Sequence, residues 1–510
     1  MDALAWSLIA LQTLFGASDT LLHHEGTERL AWRASQRSEL ILHGVRNLFY
    51  SLIFLVLGWT EPAGAFASLL IGVLALELVI TLMDFVEEDR SRRLPPSERV
   101  LHTLLALNYG AILVLLLPAL LDRASAPTAL WSAYYGAFSW MCVAAGLGTA
   151  LFGARDLAAA LRLTRLHQGS PARLAAGLRA RRRVLVTGAT GFIGKRLVEA
   201  LVAAGHEVTA LTRDAKKAAS LPAPIRIVTA LDQIAHDERI DAIVHLAGEP
   251  LADGLWTEKK KAKVIASRVS LNNQLIRLAA HLDEKPEVYV AASAIGWYGL
   301  RGPEPLAEDA APLAGSFSHE SCEAVEAAAR AMEIQGVRTI RLRIGLVLGV
   351  EGGLLSRLLL PFEFGMGGPV GDGAQMMSWI GLDDLVRLIV YGLRNPALSG
   401  AVNATAPAPV SNREFSRALG RALRRPSFMP LPAAPLRLAL GAFAEELLLS
   451  GQNVVPQKAL DAGFVFEQAE INEALAAIVG AKAGSRQRLP AGLLENAVAR
   501  ANPSAGMRLT

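Results

Sequence analysis

Cysteine is nearly absent. The two in 510 residues, Cys142 inside an apolar run and Cys322 far from it, exclude a disulfide framework and a cysteine zinc site and are compatible with a reducing cytoplasm. Charge is sparse as well. Only 19% of residues are charged, and the formal net charge of +4 mostly reflects local arginine clusters, so the chain lacks the basic footprint of a nucleic-acid binder. Apolar residues fill the gap: a hydrophobic fraction of 52% and a mean hydropathy of +0.33 place part of the chain in lipid.

The long charge-poor runs are confined to the first 155 residues. Five segments, at 3–17, 40–59, 63–85, 100–121 and 130–152, have roughly the 20 residues that a helix needs to cross a bilayer, the first being the shortest. Met1-Asp2 lacks the positive start of a signal peptide, so the first run reads as a retained span. Arg29, Arg33 and Arg37 precede the second span and Arg90, Arg92, Arg93 and Arg99 the fourth, whereas the Glu61-Pro62 connection and the one near Arg123 carry little positive charge. The positive-inside rule then predicts an outward N-terminus and a cytoplasmic remainder, in a multi-pass protein of a bacterial-type inner membrane.

This topology gathers His23, His24, His43, Asp84, Glu87, Glu88, Glu98 and His102 at the cytoplasmic end of the spans. Asp19 with His23, and Glu98 with His102, share helix faces at i,i+4 spacing, and Glu77, Asp84 and Glu88 form one stripe. Carboxylates and imidazoles converging from several helices are how bundle metal sites are built. The same residues also read as a buried polar network or plain interfacial charge, so the metal stays unknown at this point. Between 155 and 183, eight arginines face one acid, Asp156, in a linker that suits an anionic membrane surface or a solvated spacer.

The stretch 184–194, VLVTGATGFIG, reads as a short buried strand, a turn with Gly188, Gly191 and Gly194, and a helix start. Glycines there let the backbone approach a dinucleotide pyrophosphate, and the helix N-terminus attracts the anion. A helix at 196–204 and a strand at 207–211 follow, ending at Thr212-Arg213. An acid at that strand end would bind the ribose of NAD, whereas an arginine suits the 2′-phosphate of NADP(H). A strand at 241–246 runs into Ala247-Gly248-Glu249-Pro250, a helix at 258–281 carries Ser267, Arg268 and Asn272, and a strand at 288–292 delivers Ser293. The alternation predicts an α/β fold, a Rossmann-type doubly wound parallel sheet with its site at the strands' C-terminal ends. Further on, the glycine-rich 365–373 reads as a mobile loop. Met376, Met377 and Trp379 read as pocket lining or core, Asp383-Asp384 as a helix cap, and Ser411 with Glu414 as a capping box. The expected domains are a transmembrane helical bundle at 1–153, a basic amphipathic linker at 154–182, the Rossmann domain at 183–400, a smaller substrate lobe at 401–482 and a flexible tail at 483–510.

The motifs TGATGFIG, LAGEP, ASAIGWYG, RIGLVLG, FGMGGPVGDGAQMMSWIGLDDLVRLI, VNATAPAPVSNREF and LLLSGQNVVPQKALDAGF together resemble the epimerase-like family of atypical, extended-type short-chain dehydrogenases, from about 183 to 480 and including that family's C-terminal segment. The first 155 residues lie outside the resemblance. It implies bound NADP(H) and a C-terminal substrate lobe, with no settled substrate. Carried over residue by residue, the cofactor positions are Gly188, Thr190, Gly191, Phe192, Ile193, Gly194, Thr212, Arg213, Leu246, Ala247 and Arg268, beside which Gly248 offers close backbone approach.

At the catalytic positions the chain departs from the superfamily. None of its seven tyrosines is followed four residues later by lysine, and the equivalent helix reads Ser316-Phe317-Ser318-His319-Glu320-Ser321-Cys322. Ser293 matches the superfamily's catalytic serine and Tyr298 is the nearest substitute proton donor, with Glu320 and Cys322 as further acid/base candidates. Three functions fit. One is a membrane-anchored NADP(H)-dependent oxidoreductase or epimerase acting at the cytoplasmic face on a small-molecule or lipid-like substrate. Another is a non-catalytic NADP(H) sensor or scaffold that regulates the membrane domain or a partner. The third is a membrane enzyme or transporter supplied with electrons by the Rossmann portion.

Overall fold

A computed structural model of the chain describes residues 3–92, 94–166, 169–251 and 253–481, and the expected tail at 483–510 lies outside them. The chain forms two compact units, Met1–Leu166 and His167–Thr510.

The first unit holds five helices: α1 (Ala3–Asp19), α2 (Arg37–Trp59), α3 (Ala65–Ser91), α4 (Pro96–Ala124) and α5 (Ala137–Leu163). Four stretches, Ala34–Trp59, Ala65–Ser91, Pro96–Ala124 and Ala137–Leu163, are long and apolar enough to cross a membrane. The 17 residues of α1 span about 26 Å, short of a hydrocarbon core of about 30 Å, so among the described residues four of the five expected spans have the length to cross. At Asp19 that helix widens into π-type turns, Thr20–Glu28, which bury His23 and His24. Polarity is inverted relative to a water-soluble bundle. Leu14, Leu69, Leu107, Val114 and Leu147 face outward, while Asp19, Glu39, Asp84, Glu88 and Glu98 are buried. Helices α2 and α5 approach closely through glycines: a Cβ on Gly153 would lie 2.8 Å from the Gly44 carbonyl, and one on Gly44 2.9 Å from the Leu157 side chain. An antiparallel ribbon, Thr60–Ala63 with Ala129–Ser132, ties the α2–α3 connection to the α4–α5 connection.

The last of these helices runs past residue 152 to Leu163, so the expected linker begins as helix. Its later apolar residues, Leu174, Ala175 and Leu178, pack in one core with Val184, Leu197 and Leu385 of the second unit. Burial in this core leaves those three side chains unavailable to lipid.

The second unit is built on seven parallel strands: β1 (Arg183–Thr187), β2 (Glu207–Leu211), β3 (Arg226–Val228), β4 (Ala242–His245), β5 (Val288–Ala294), β6 (Arg338–Ile344) and β7 (Gly400–Ala404). Their spatial order is β7-β6-β5-β4-β1-β2-β3, with the reversal of direction at β1 and β4, where a doubly wound sheet opens its ligand crevice. Side chains alternate between two cores. Val184 and Val186 point to the layer of α6 (Phe192–Ala203) and α9 (Leu382–Arg394), and Leu185 to that of α7 (Glu258–His281) and α8 (Phe317–Ile334). The sheet extends through Ala404, so the domain boundary expected at 400 falls inside β7.

Beyond the sheet, Met377 and Trp379 are core residues. The 365–373 connection is pinned by Val370 N–H donating to Asn412 Oδ1 at 2.8 Å and Met429 N–H donating to the Gly367 carbonyl at 3.2 Å. The Ser411/Glu414 capping box opens a helix at Asn412–Leu423, as expected. Asp383 and Asp384 lie in the first turn of α9, whose N-cap is Gly381. They brace other segments: Asp383 accepts from Arg196 and from Gly169 N–H, and Asp384 from the N–H groups of Glu467 and Gln468.

Candidate functional site

The turn after β1 is shaped by glycines for steric reasons. Gly188 has φ +71°, and a Cβ there would stand 2.8 Å from the backbone of Leu246 and Ala247, in the turn after β4. A Cβ on Gly194 would overlap the Gly188 carbonyl. Gly191 N–H donates to that carbonyl at 2.9 Å and caps α6, leaving the N–H groups at the start of that helix, Phe192 and Ile193 among them, directed at the crevice. The Phe192 ring itself packs on Gly349 and Gly352. Thr190 is half-buried in the same turn.

The neighbouring turn is braced from below. Burial pushes the His245 imidazole down to about 4, so it is neutral and pairs with Thr187 Oγ1 at 2.7 Å. The same hydroxyl accepts from Ala247 N–H at 3.3 Å and holds Leu246, Ala247 and Gly248 at the strand end. A Cβ on Gly248 would stand 2.8 Å from Arg268 Nε, so the guanidinium lies across this turn. Burial pushes Arg268 below the usual guanidinium value, and no carboxylate pairs with it among the described residues. At the end of β2, Thr212 N–H donates to the Val228 carbonyl at 3.0 Å, and Arg213 is exposed without a carboxylate partner among the described residues. Glycines that let the backbone approach a pyrophosphate, with Arg213 and Arg268 without carboxylate partners among the described residues, are a donor set that suits a dinucleotide with a 2′-phosphate.

The proposed acid/base groups fare differently. Ser293, at the end of β5, donates to Glu326 Oε1 at 3.0 Å, and Glu326 in turn accepts from Arg343 Nε at 2.8 Å and Nη2 at 3.1 Å. Tyr298 is 0% exposed. Its hydroxyl lies 2.8 Å from Asn403 Oδ1 and 3.0 Å from the Ala307 carbonyl and accepts from Arg343 Nη1 at 3.1 Å. These contacts engage the hydroxyl inside the protein, where it ties Arg343 to Asn403. Burial pushes the Cys322 thiol up to about 11, which keeps it protonated at neutral pH, and Glu320 is exposed.

Two residues of this site were not found from the sequence. Glu446, from the C-terminal lobe, accepts from Phe317 N–H at 3.0 Å, Ser318 N–H at 2.9 Å and the Ser318 hydroxyl, closing the N-terminus of α8 with a carboxylate. Trp256 stacks edgewise on Phe317 and Phe443. Neither lies in a recognisable motif. Glu326 left a signal, its i,i+4 spacing from Cys322 on the buried face of α8. The LLLSGQNVVP segment also acts structurally: Gln452 donates to the Gly299 carbonyl at 2.8 Å and Asn403 to the Val455 carbonyl at 2.9 Å, joining the lobe to the strand ends.

Among known families, residues 184–404 match the NAD dependent epimerase/dehydratase family and residues 431–478 match a domain of unknown function, DUF1731. The epimerase family protein YfhF of Bacillus subtilis is 34% identical over 300 residues, 58% of this chain and 97% of that protein. The human epimerase family protein SDR39U1 is 36% identical over 301 residues, 58% of this chain and 99% of that protein. A crystal structure of human SDR39U1 (isoform 2) with NADPH superimposes with a TM-score of 0.53 at 32% identity, covering 59% of this chain and 100% of that one.

Proposed function

Because the chain belongs to the NAD-dependent epimerase/dehydratase family, we propose that its second unit is an NADP(H)-dependent oxidoreductase or epimerase of the atypical short-chain type, held at the cytoplasmic face of a membrane by the helical unit. The observation that carries this reading is the cradle of Gly188, Gly191 and Gly194 flanked by Arg213 and Arg268, both without carboxylate partners among the described residues. The solved human relative with NADPH supports the same cofactor. In this reading the Gly188–Gly194 turn and the first N–H groups of α6 hold the pyrophosphate, Arg213 the 2′-phosphate, and Ala247, Gly248 and Arg268 the other side of the crevice. NADP(H), when bound, supplies the hydride acceptor or donor. Ser293, oriented by Glu326, is the hydroxyl assigned to the reacting side, and Trp256 and Phe443 suit a small-molecule or lipid-like substrate with an apolar portion. Outward-facing leucines on the helical unit, and arginines grouped in the α1–α2 and α3–α4 connections, support the membrane placement.

The test is cofactor binding by the purified full-length protein in detergent. NADPH is expected to bind at least about tenfold more tightly than NADH, the scale of one lost charge-assisted contact. Gly191→Asp, which sets a carboxylate against the pyrophosphate, is expected to cost about 100-fold or more. Equal affinity for both cofactors, or an unaffected Gly191→Asp variant, overturns the reading.

A second reading, a non-catalytic NADP(H) sensor or scaffold, is favoured by the buried Tyr298 hydroxyl and the protonated Cys322. Hydride transfer to quinones, isoprenoid carbonyls or nucleotide sugars that falls in Ser293→Ala decides for the enzyme. Tight binding without turnover, with a cofactor-dependent change in proteolysis of 154–182, decides for the sensor.

A further inference from the structure

Where α1 and α3 end and α2 and α4 begin, the first unit gathers groups that the dinucleotide site does not use. Asp19, His24, Glu98 and His102 each place one potential ligand atom within 4.8 Å of the others. Asp19 Oδ2 lies 3.1 Å from His102 Nε2 and 3.4 Å from His24 Nε2, and His24 Nε2 lies 3.8 Å from Glu98 Oε1. These separations approach the edge of a coordination polyhedron with bonds of about 2.1 Å, which is roughly 3.0–3.4 Å. His24 supplies an independent sign of a ligand. It is 2% exposed, its Nδ1 has no hydrogen-bond partner among the described residues, and its Nε2 is aimed between the carboxylates of Asp19 and Glu98.

The surroundings fit a cation. Four buried carboxylates, Glu39, Asp84, Glu88 and Glu98, pair with two arginines, Arg46 and Arg92, and buried Asp19 pairs with His23, His24 and His102. The prospective ligands are oriented from behind: Glu88 Oε2 lies 3.3 Å from His102 Nδ1, His23 Nδ1 2.9 Å from Asp19 Oδ1, and Arg92 donates to Glu98 at 2.7 and 2.8 Å. A carboxylate behind a histidine fixes the tautomer that leaves the other ring nitrogen free to ligate. Asp19 and His102 also line a cavity of about 420 Å³ inside the bundle, bounded by Arg46, Tyr50, Phe54 and Met141.

We propose that Asp19, His24, Glu98 and His102 bind one divalent transition-metal ion, with a coordination position open toward this cavity. Two imidazoles and two carboxylates suit iron(II), manganese(II) or zinc(II) better than magnesium or calcium. The open position would take an oxygen-donor ligand with an apolar body, since aromatic and aliphatic side chains line much of the wall. The proposal concerns the helical unit alone and does not depend on the function assigned to the second unit.

Full-length protein in detergent, stripped with chelator, is titrated with cobalt(II) by visible absorption and with zinc(II) by elemental analysis after desalting. One equivalent per chain is expected. His24→Ala and His102→Gln are each expected to lower affinity by at least about tenfold, and the orienting substitution Glu88→Gln by about 10–100-fold. His236→Ala, at an exposed site in the second unit, is expected to leave stoichiometry unchanged. Monodisperse elution and helical circular dichroism check that each variant is folded. Absence of stoichiometric metal uptake by the wild-type chain, which needs no variant, overturns the proposal. So does one equivalent retained at full affinity in both His24→Ala and His102→Gln.

Discussion

Tyr298 and Arg268 show how little a side chain's identity says about its work. Burial pushes the Tyr298 phenol up to about 12, opposed by its contacts with Arg343 and Asn403, so it stays protonated across physiological pH. With its hydroxyl engaged on Asn403, Ala307 and Arg343, the Tyr298→Phe variant is expected to lose about 1–3 kcal/mol in denaturant unfolding while keeping its NADPH affinity. Unchanged stability together with lost hydride transfer would assign Tyr298 to the chemistry. Arg343 and Arg268 are both arginines close to the strand ends. One is neutralised by Glu326, 17 residues earlier in the chain, and stacks 3.3 Å over the Trp297 ring, while the other has no such carboxylate among the described residues. That distinction is set by packing between distant segments and leaves no trace in local sequence.

Among the elements, β1 and α6 were legible because an apolar run, three glycines and a change of period from 2 to 3.6 coincide within 20 residues. The 154–182 segment left its surroundings open for a related reason: leucines and alanines at helical spacing look the same whether they face lipid or the core beside α6 and α9. The contact between α2 and α5 was not visible at all, since a glycine in an apolar run signals neither packing nor exposure until its neighbour is known. Gly153→Leu is expected to destabilise the helical unit by about 1–3 kcal/mol, because the new side chain meets the Gly44 backbone and Asn47. Gly72→Leu, with no atom within 4 Å of its Cβ position, is the neutral comparison. Thermal unfolding in detergent measures both, and equal midpoints would mean that α2 and α5 do not pack through this glycine.

For the whole molecule, the arginine distribution and the ribbon support one topology. In the proposed topology the α2–α3 and α4–α5 connections lie on the outer side, and Thr60–Ala63 and Ala129–Ser132, which pair with each other, lie in those two connections. In intact cells, a membrane-impermeant maleimide is expected to label Trp131→Cys and not His236→Cys, the native Cys142 and Cys322 being buried. Labelling of the second variant would reverse the orientation. The sequence by itself determined the classes of structure: apolar helices where charge is missing, a parallel α/β sheet where strands and helices alternate, and a phosphate-binding turn where glycines follow a buried strand. These follow from local periodicity and backbone sterics, which a short window contains. Only the tertiary structure decided which polar groups are satisfied and which are left unpartnered. It turned Tyr298 inward, left Arg268 without a carboxylate, closed α8 with Glu446 and brought His24 between Asp19 and Glu98. Hydrogen bonding and desolvation depend on neighbours many residues away in the chain, and folding alone brings them together.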